Sequence, residues 1–149
     1  MNKQSTSTAY TILNNVLKKY HNTRYPLTSL DLFIKELREA GQKAISQDEE
    51  FPIGFYCEVS HALIRWCISS FAGLSKADIG PMFQRAWTFH KHVMKMDFSD
   101  ASTDTLLAEA EKIVKEIERK EEQAIYVAIL HHYDDEAKKH SVSEESDAT

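Results

Sequence analysis

The sequence predicts an all-α fold: a single bundle-like domain of five or six helices, with a central helix near residues 53–71 and a long C-terminal helical segment. Three observations carry this expectation. The residues most hostile to helix, Pro26, Gly41, Pro52, Gly54, Gly73, Gly80 and Pro81, all lie between positions 26 and 81. Residues 82–149 contain neither glycine nor proline, which cost a helix interior about 1 and about 3 kcal/mol respectively. Apolar residues recur at three- and four-residue spacing through most of the chain, as on a one-faced helix. At 149 residues, 42% of them hydrophobic, the chain can bury one core. Residues 1–140 are expected to form that domain, and 141–149, SVSEESDAT, an acidic disordered tail.

The first helix is expected over residues 7–20, where Ala9, Ile12, Leu13, Val16, Leu17 and Tyr20 share a face. Pro26 disfavours helix at Tyr25. Thr28 or Ser29 can cap a second helix by accepting from a free backbone N–H. Leu30, Phe33, Ile34, Leu37 and Ala40 form its stripe, and Gly41 is a candidate stop, so its end is expected between 40 and 46. The third helix, 53–71, is apolar on nearly every side, which places it centrally with Phe55 and Trp66 in the core. Its polar positions, Glu58, His61, Arg65 and Ser69, make one narrow line.

Ser75 with Asp78 reads as a capping box, and Leu74 with Ile79 as a hydrophobic staple. Gly80-Pro81 then predicts a separate or kinked first turn, with Pro81 opening a fourth helix that runs to about Met96. Short polar side chains break the helix over 97–103, and Ser102 or Thr103 restarts it. Leu106, Leu107, Ala110, Ile113, Val114 and Ile117 form the next stripe, with Glu111–Lys115 and Glu116–Lys120 as supporting i, i+4 pairs. Residues 118–123 offer no core side chain. Ala124, Ile125, Val127, Ala128, Ile129 and Tyr133 then resume a buried face. An unbroken helix over 103–138 would be about 54 Å long. Either it bends back, or one half projects and must cover its apolar face with a partner or a second copy.

Charge is unevenly placed. Residues 1–45 hold seven Lys/Arg against three Asp/Glu, and 46–149 hold eleven against twenty. The acidic balance weighs against nucleic acid and against anionic membranes. The apolar run 51–71 is interrupted by Glu58, His61 and Arg65, so it does not read as a membrane span. The first fifteen residues hold no apolar stretch of signal-peptide length. Cys57 and Cys67 would lie about 15 Å apart along one helix, beyond the ~7 Å a disulfide tolerates. Reduced thiols and a cytoplasmic location are expected.

No phosphate loop, dinucleotide turn, nucleophile elbow or His-Glu-x-x-His motif occurs. Glu58 and His61 form a single Glu-x-x-His, which di-iron bundles carry twice with two further glutamates. His131, His132, Asp134, Asp135, Glu136 and His140 are the densest group of potential ligands, with His132 and Glu136 on one helical face. Nothing obvious encloses them, so no metal or cofactor is expected. His90 falls on an apolar face, as a hydrogen-bonded core histidine does. Lys18, Lys19, Tyr20, His21, Arg24 and Tyr25 mix basic and aromatic groups that could contact nucleic acid. The leading expectation is a non-enzymatic protein acting through protein–protein contacts, self-association or a partner, at Ile125, Ile129 and Leu130. The alternatives are a small-ligand or metal-binding bundle using Glu58, His61 and Arg65 or residues 131–140, and a nucleic-acid-associated regulator using residues 18–25.

Overall fold

A computed structural model describes residues 1–21, 30–69 and 76–148, with the side chains of 66–69 and 142–148 excepted. The described residues form six helices and no strand: α1 (Lys3–Tyr20), α2 (Leu30–Gln47), α3 (Ile53–Ser69), α4 (Lys76–Met94), α5 (Asp100–Glu116) and α6 (Lys120–Ala148). They pack into one α-helical domain. As expected, α3 is central, lying against α1, α2 and α6, while α4 packs on α1 and α6 and α5 on α6.

Helix α1 starts four residues earlier than the apolar spacing suggests. Asn2 caps it, its Oδ1 accepting from the Ser5 N–H at 3.0 Å. Ser5 Oγ in turn donates to Asp48 Oδ2 at 2.5 Å, tying the start of α1 to the residue just past α2. Capping chemistry, not the apolar stripe, sets this end. The proposed caps Thr28 and Ser29 of α2 lie outside the described residues.

Gly41 does not stop α2, which runs on to Gln47. Its lack of a side chain serves packing instead. A Cβ there would stand 2.6 Å from Tyr56 Cε1. The Tyr56 ring crosses α2 at this point, and its hydroxyl donates to the Leu37 carbonyl at 2.5 Å. Phe55, Tyr56, Val59 and Leu63 of α3 are all buried, as the sequence led one to expect of Phe55. The Trp66 side chain lies outside those described.

Gly80-Pro81 does not split α4, which is continuous with Pro81 in its second turn. Proline there removes one N–H, leaving the exposed Ala77 end of the ladder to water. Ile79, Met82 and Phe83, all buried around it, hold the turn in place. Helix α5 starts at Asp100, two to three residues before the expected restart, capped by Ser99, whose Oγ accepts from the Ser102 N–H at 3.1 Å. Asp97 accepts from the Ser99 amide and from the Ser99 and Ser102 hydroxyls. Those donors push its carboxyl down to about 2.

The long C-terminal segment bends back. Helix α5 ends at Glu116 and α6 begins at Lys120. Gln123 secures the bend: its Nε2 donates to the Ile117 carbonyl at 2.6 Å and to the Val114 carbonyl at 3.2 Å, which also accepts from the Ile117 N–H at the end of α5. The Glu111–Lys115 pair forms at 3.1 Å. The bend separates Glu116 from Lys120, so the second expected pair is not an intrahelical one. Block 118–123 also contributes to packing, against expectation. Glu122 is buried and accepts from Arg85 Nε at 3.1 Å and Nη2 at 2.7 Å. Leu107, expected in the α5 stripe, is 52% exposed. The stretch expected to be a disordered tail continues α6 to Ala148. Among the described residues no helix is long and apolar enough to cross a membrane.

Candidate functional site

Three helices bring three polar side chains into line through the core. Tyr10 comes from α1, His90 from α4 and His132 from α6. Tyr10 Oη lies 2.8 Å from His90 Nδ1, and His90 Nε2 lies 2.9 Å from His132 Nδ1. His90 is fully buried and His132 is 9% exposed. Phe55 of α3 closes the packing, edge-on to His90 at 4.8 Å between ring centres and stacked on His132 at 5.8 Å and 25°.

The ends of the chain assign its protons. The buried Tyr10 hydroxyl has His90 Nδ1 as its acceptor, so it donates there. His90 then carries its proton on Nε2 and donates to His132 Nδ1. His132 therefore carries its proton on Nε2, which faces Glu136 Oε1 at 3.7 Å, one helical turn on. The opposite assignment would leave the Tyr10 proton without an acceptor in a dry site and set a nitrogen lone pair against a carboxylate. Burial, and after it the neighbouring imidazole of His132, holds His90 far below the ordinary histidine range. Burial also lowers His132, outweighing the opposing pull of Glu136. Burial first, then Tyr126, raises the Tyr10 hydroxyl well above the ordinary range. All three groups are neutral at neutral pH.

His132 forms part of the wall of a cleft of about 620 Å³ between the start of α1, residues 45–55 and α6. The carboxylates of Glu49, Glu50, Asp135 and Glu136 line it, with the ammonium of Lys139, 3.6 Å from Glu136 Oε1. The amino nitrogen of Met1 lies 3.7 Å from Glu136 Oε2. Asn2 Nδ2 donates to Glu50 and holds that carboxylate at the rim.

Of the residues singled out in the sequence, the structure gathers His132 and Glu136 here, with Asp135 beside them. Glu58, His61 and Arg65 are elsewhere. His61 and Arg65 face solvent, and Glu58 pairs with His131 Nδ1 at 2.8 Å across α3 and α6. The Ser69 side chain lies outside those described. The successive histidines thus have opposite roles, His131 at the surface and His132 in the core. His140 packs on Phe98 at 5.2 Å, and Asp134 pairs with Lys138 at 3.0 Å. Among the described residues no three potential metal ligands converge.

Ile125 and Ile129 are 0% exposed, packed in the core, and Leu130 is half-buried. Once α6 folds back, the chain itself covers Ile125 and Ile129, so neither is on the surface, while Val127 of the same helix is 42% exposed. Lys19 pairs with Glu36 at 3.1 Å and lies over the Tyr20 ring. Arg24 and Tyr25 lie outside the described residues. Cys57 is exposed, and the Cys67 side chain lies outside those described. Tyr10 escaped the sequence reading altogether. Its spacing to Leu13 and Leu17 placed it on the buried face of α1, but nothing local pointed to His90, eighty positions away.

Comparison with known proteins found no matching family model, no similar curated protein and no similar solved structure.

Proposed function

We propose that the protein is a non-enzymatic binding protein whose ligand is a small, polar, positively charged molecule seated in the His132 cleft. One observation carries this reading. His132 is nine-tenths buried and locked at Nδ1 by His90, yet its Nε2 is turned to a cleft, where its neighbour is a carboxylate 3.7 Å away. Burying imidazoles in an aromatic core is costly unless their hydrogen bonds are met. Here they are met in a way that leaves one N–H directed outward and of fixed polarity.

The cleft is of ordinary ligand size. Four carboxylates line it against two ammonium groups, those of Lys139 and Met1, so it favours a cation. Lys139 is itself exposed and free to swing aside from Glu136. An ammonium or guanidinium would meet Asp135 and Glu136, while an acceptor on the same ligand would take the His132 Nε2 proton. Binding is favoured over turnover because the lining residues present no activated nucleophile. Their one hydroxyl, on Thr6, donates to the Asn2 carbonyl at 2.8 Å.

Titration calorimetry tests this with 1,4-diaminobutane, guanidinium and succinate as probes. The two cations should bind, and the pair Asp135→Asn and Glu136→Gln should weaken them at least tenfold with the fold intact by circular dichroism. Succinate binding in their place, or no heat from either cation, would end this reading.

A further inference from the structure

A second surface, unrelated to the cleft's carboxylates, runs along α1 and α4. Helix α1 carries Lys3, Lys18 and Lys19 and no acidic residue. The first carboxylate in the chain is Asp31. Two depressions of about 550 and about 690 Å³ adjoin here, sharing Ser7, Thr11 and Trp87. Lys3 and Lys91 line the first, and no Asp or Glu lines either. At the far end Lys18 Nζ reaches Gly80, 3.4 Å from where a Cβ would stand. Lys3 and Lys18 are thus lysines at the two ends of a groove about 22 Å long, from the helical rise. Residues 46–149 taken together are acidic, with eleven Lys/Arg against twenty Asp/Glu.

The groove floor is semi-apolar. Trp87 is half-buried, tilted on Tyr10 at 5.2 Å, with Lys91 Nζ 5.6 Å from its ring centre. The Thr8 and Thr11 hydroxyls donate to the Gln4 and Ser7 carbonyls, so their protons are already spent. The Asn14 Oδ1 is buried with no donor. It is an acceptor that awaits an N–H or O–H, of the kind native structures rarely leave unmet.

We infer that this α1–α4 groove docks an acidic amphipathic helix of a partner protein. The lysines along the groove, with no carboxylate among them, set the sign of the occupant's charge. Trp87 and Ile12 take its apolar face, as in helix-in-groove recognition. A helix of about fifteen residues spans the distance. Nucleic acid fits less well. The groove holds no arginine, and its threonine protons are spent.

The test is fluorescence anisotropy with a labelled synthetic helix of about sixteen residues, leucines on one face and glutamates flanking them. A lysine-flanked version and single-stranded oligothymidylate serve as rivals, and sedimentation reports on the protein alone. The acidic helix should bind best and lose affinity as salt rises. Lys3→Glu with Lys91→Glu should cost at least tenfold without changing the melt, and Lys115→Glu, away from the groove, should cost nothing. Equal binding of the lysine-flanked helix overturns the inference, as does tighter binding of the oligonucleotide. A dimer that Lys3→Glu with Lys91→Glu dissolves overturns it in favour of a second copy.

Discussion

His90 Nε2 and His132 Nδ1 lie 2.9 Å apart, joining α4 to α6 at the centre of the bundle. The chain holds only while both rings are neutral. A proton on His132 Nδ1 would set two N–H groups against each other, and one on His90 Nδ1 would oppose the Tyr10 hydroxyl proton, both in a low-dielectric core.

Stability should therefore depend on pH with a definite sign. Both histidines are depressed below their value in the unfolded chain, about 6.5. The unfolded state then binds more protons in the interval between the two values. The contribution is fully present above about pH 6.5 and is lost as pH falls below it toward the folded values. Glu136 and, less strongly, Asp135 soften the effect at His132, and the Met1 ammonium and then Lys139 oppose them. Urea unfolding from pH 7.5 to 4.5 should show a falling midpoint. In His90→Gln with His132→Gln that slope should flatten between pH 6.5 and 5. An unchanged slope in the double variant would place the acid sensitivity elsewhere.

Gly41→Ala should destabilise the protein although it improves the helix. In an isolated helix alanine is better by about 1 kcal/mol. Here the new Cβ meets the buried Tyr56 ring at 2.6 Å, and that ring is held by its bond to the Leu37 carbonyl. Overpacking costs typically about 1–3 kcal/mol, so a net loss of up to about 2 kcal/mol is expected. Thermal denaturation checks it. A higher melting temperature would mean that the ring moves freely.

Ile129→Glu should abolish cooperative folding, not release a folded monomer from an oligomer. Ile129 is 0% exposed. Truncating such a side chain to alanine costs about 2–5 kcal/mol, and an unpaired buried carboxylate costs more. Near-ultraviolet circular dichroism and sedimentation on the same sample separate the outcomes. A folded Ile129→Glu monomer would restore the interface reading of α6.

Much of the fold was legible because it is written in local patterns. The apolar period marks all six helices, and the all-round apolar character of α3 marks it as central. What the sequence hid is long-range. Gly41 reads locally as a stop, and only Tyr56 arriving from α3 makes it a packing site. Gly80-Pro81 reads as a break, and only the burial of Ile79, Met82 and Phe83 holds it in helix. The His132 cleft was half visible: His132 and Glu136 share a helical face, and His90 sits on an apolar one. Their meeting, and the part played by Tyr10, depends on how α1, α4 and α6 stack, and no residue spacing encodes that.

The bend between α5 and α6 is the step that turns an extended helix into a closed bundle, and Gln123 is its fastener. Its amide reaches back over six and nine residues to the Ile117 and Val114 carbonyls, the second shared with the Ile117 N–H. Nothing in 117–119 is glycine or proline, so helix propensity alone would let α5 run straight into α6. Two terms oppose that: the Gln123 bonds, and the burial of Ile125, Ile129 and Tyr133 once α6 folds back. Gln123→Ala removes the first term and adds helix propensity at the bend. The expected loss is about 1–2 kcal/mol, the scale of two part-buried hydrogen bonds, with the domain still folded because the burial remains. Gln123→Glu should cost more, since a carboxylate there accepts and cannot donate to the Val114 and Ile117 carbonyls. Urea unfolding of the two variants beside the wild type gives the order. Hydrogen exchange at Ile117 and Glu118 should rise in both. If both variants matched the wild type in stability, core burial alone would be setting the bend.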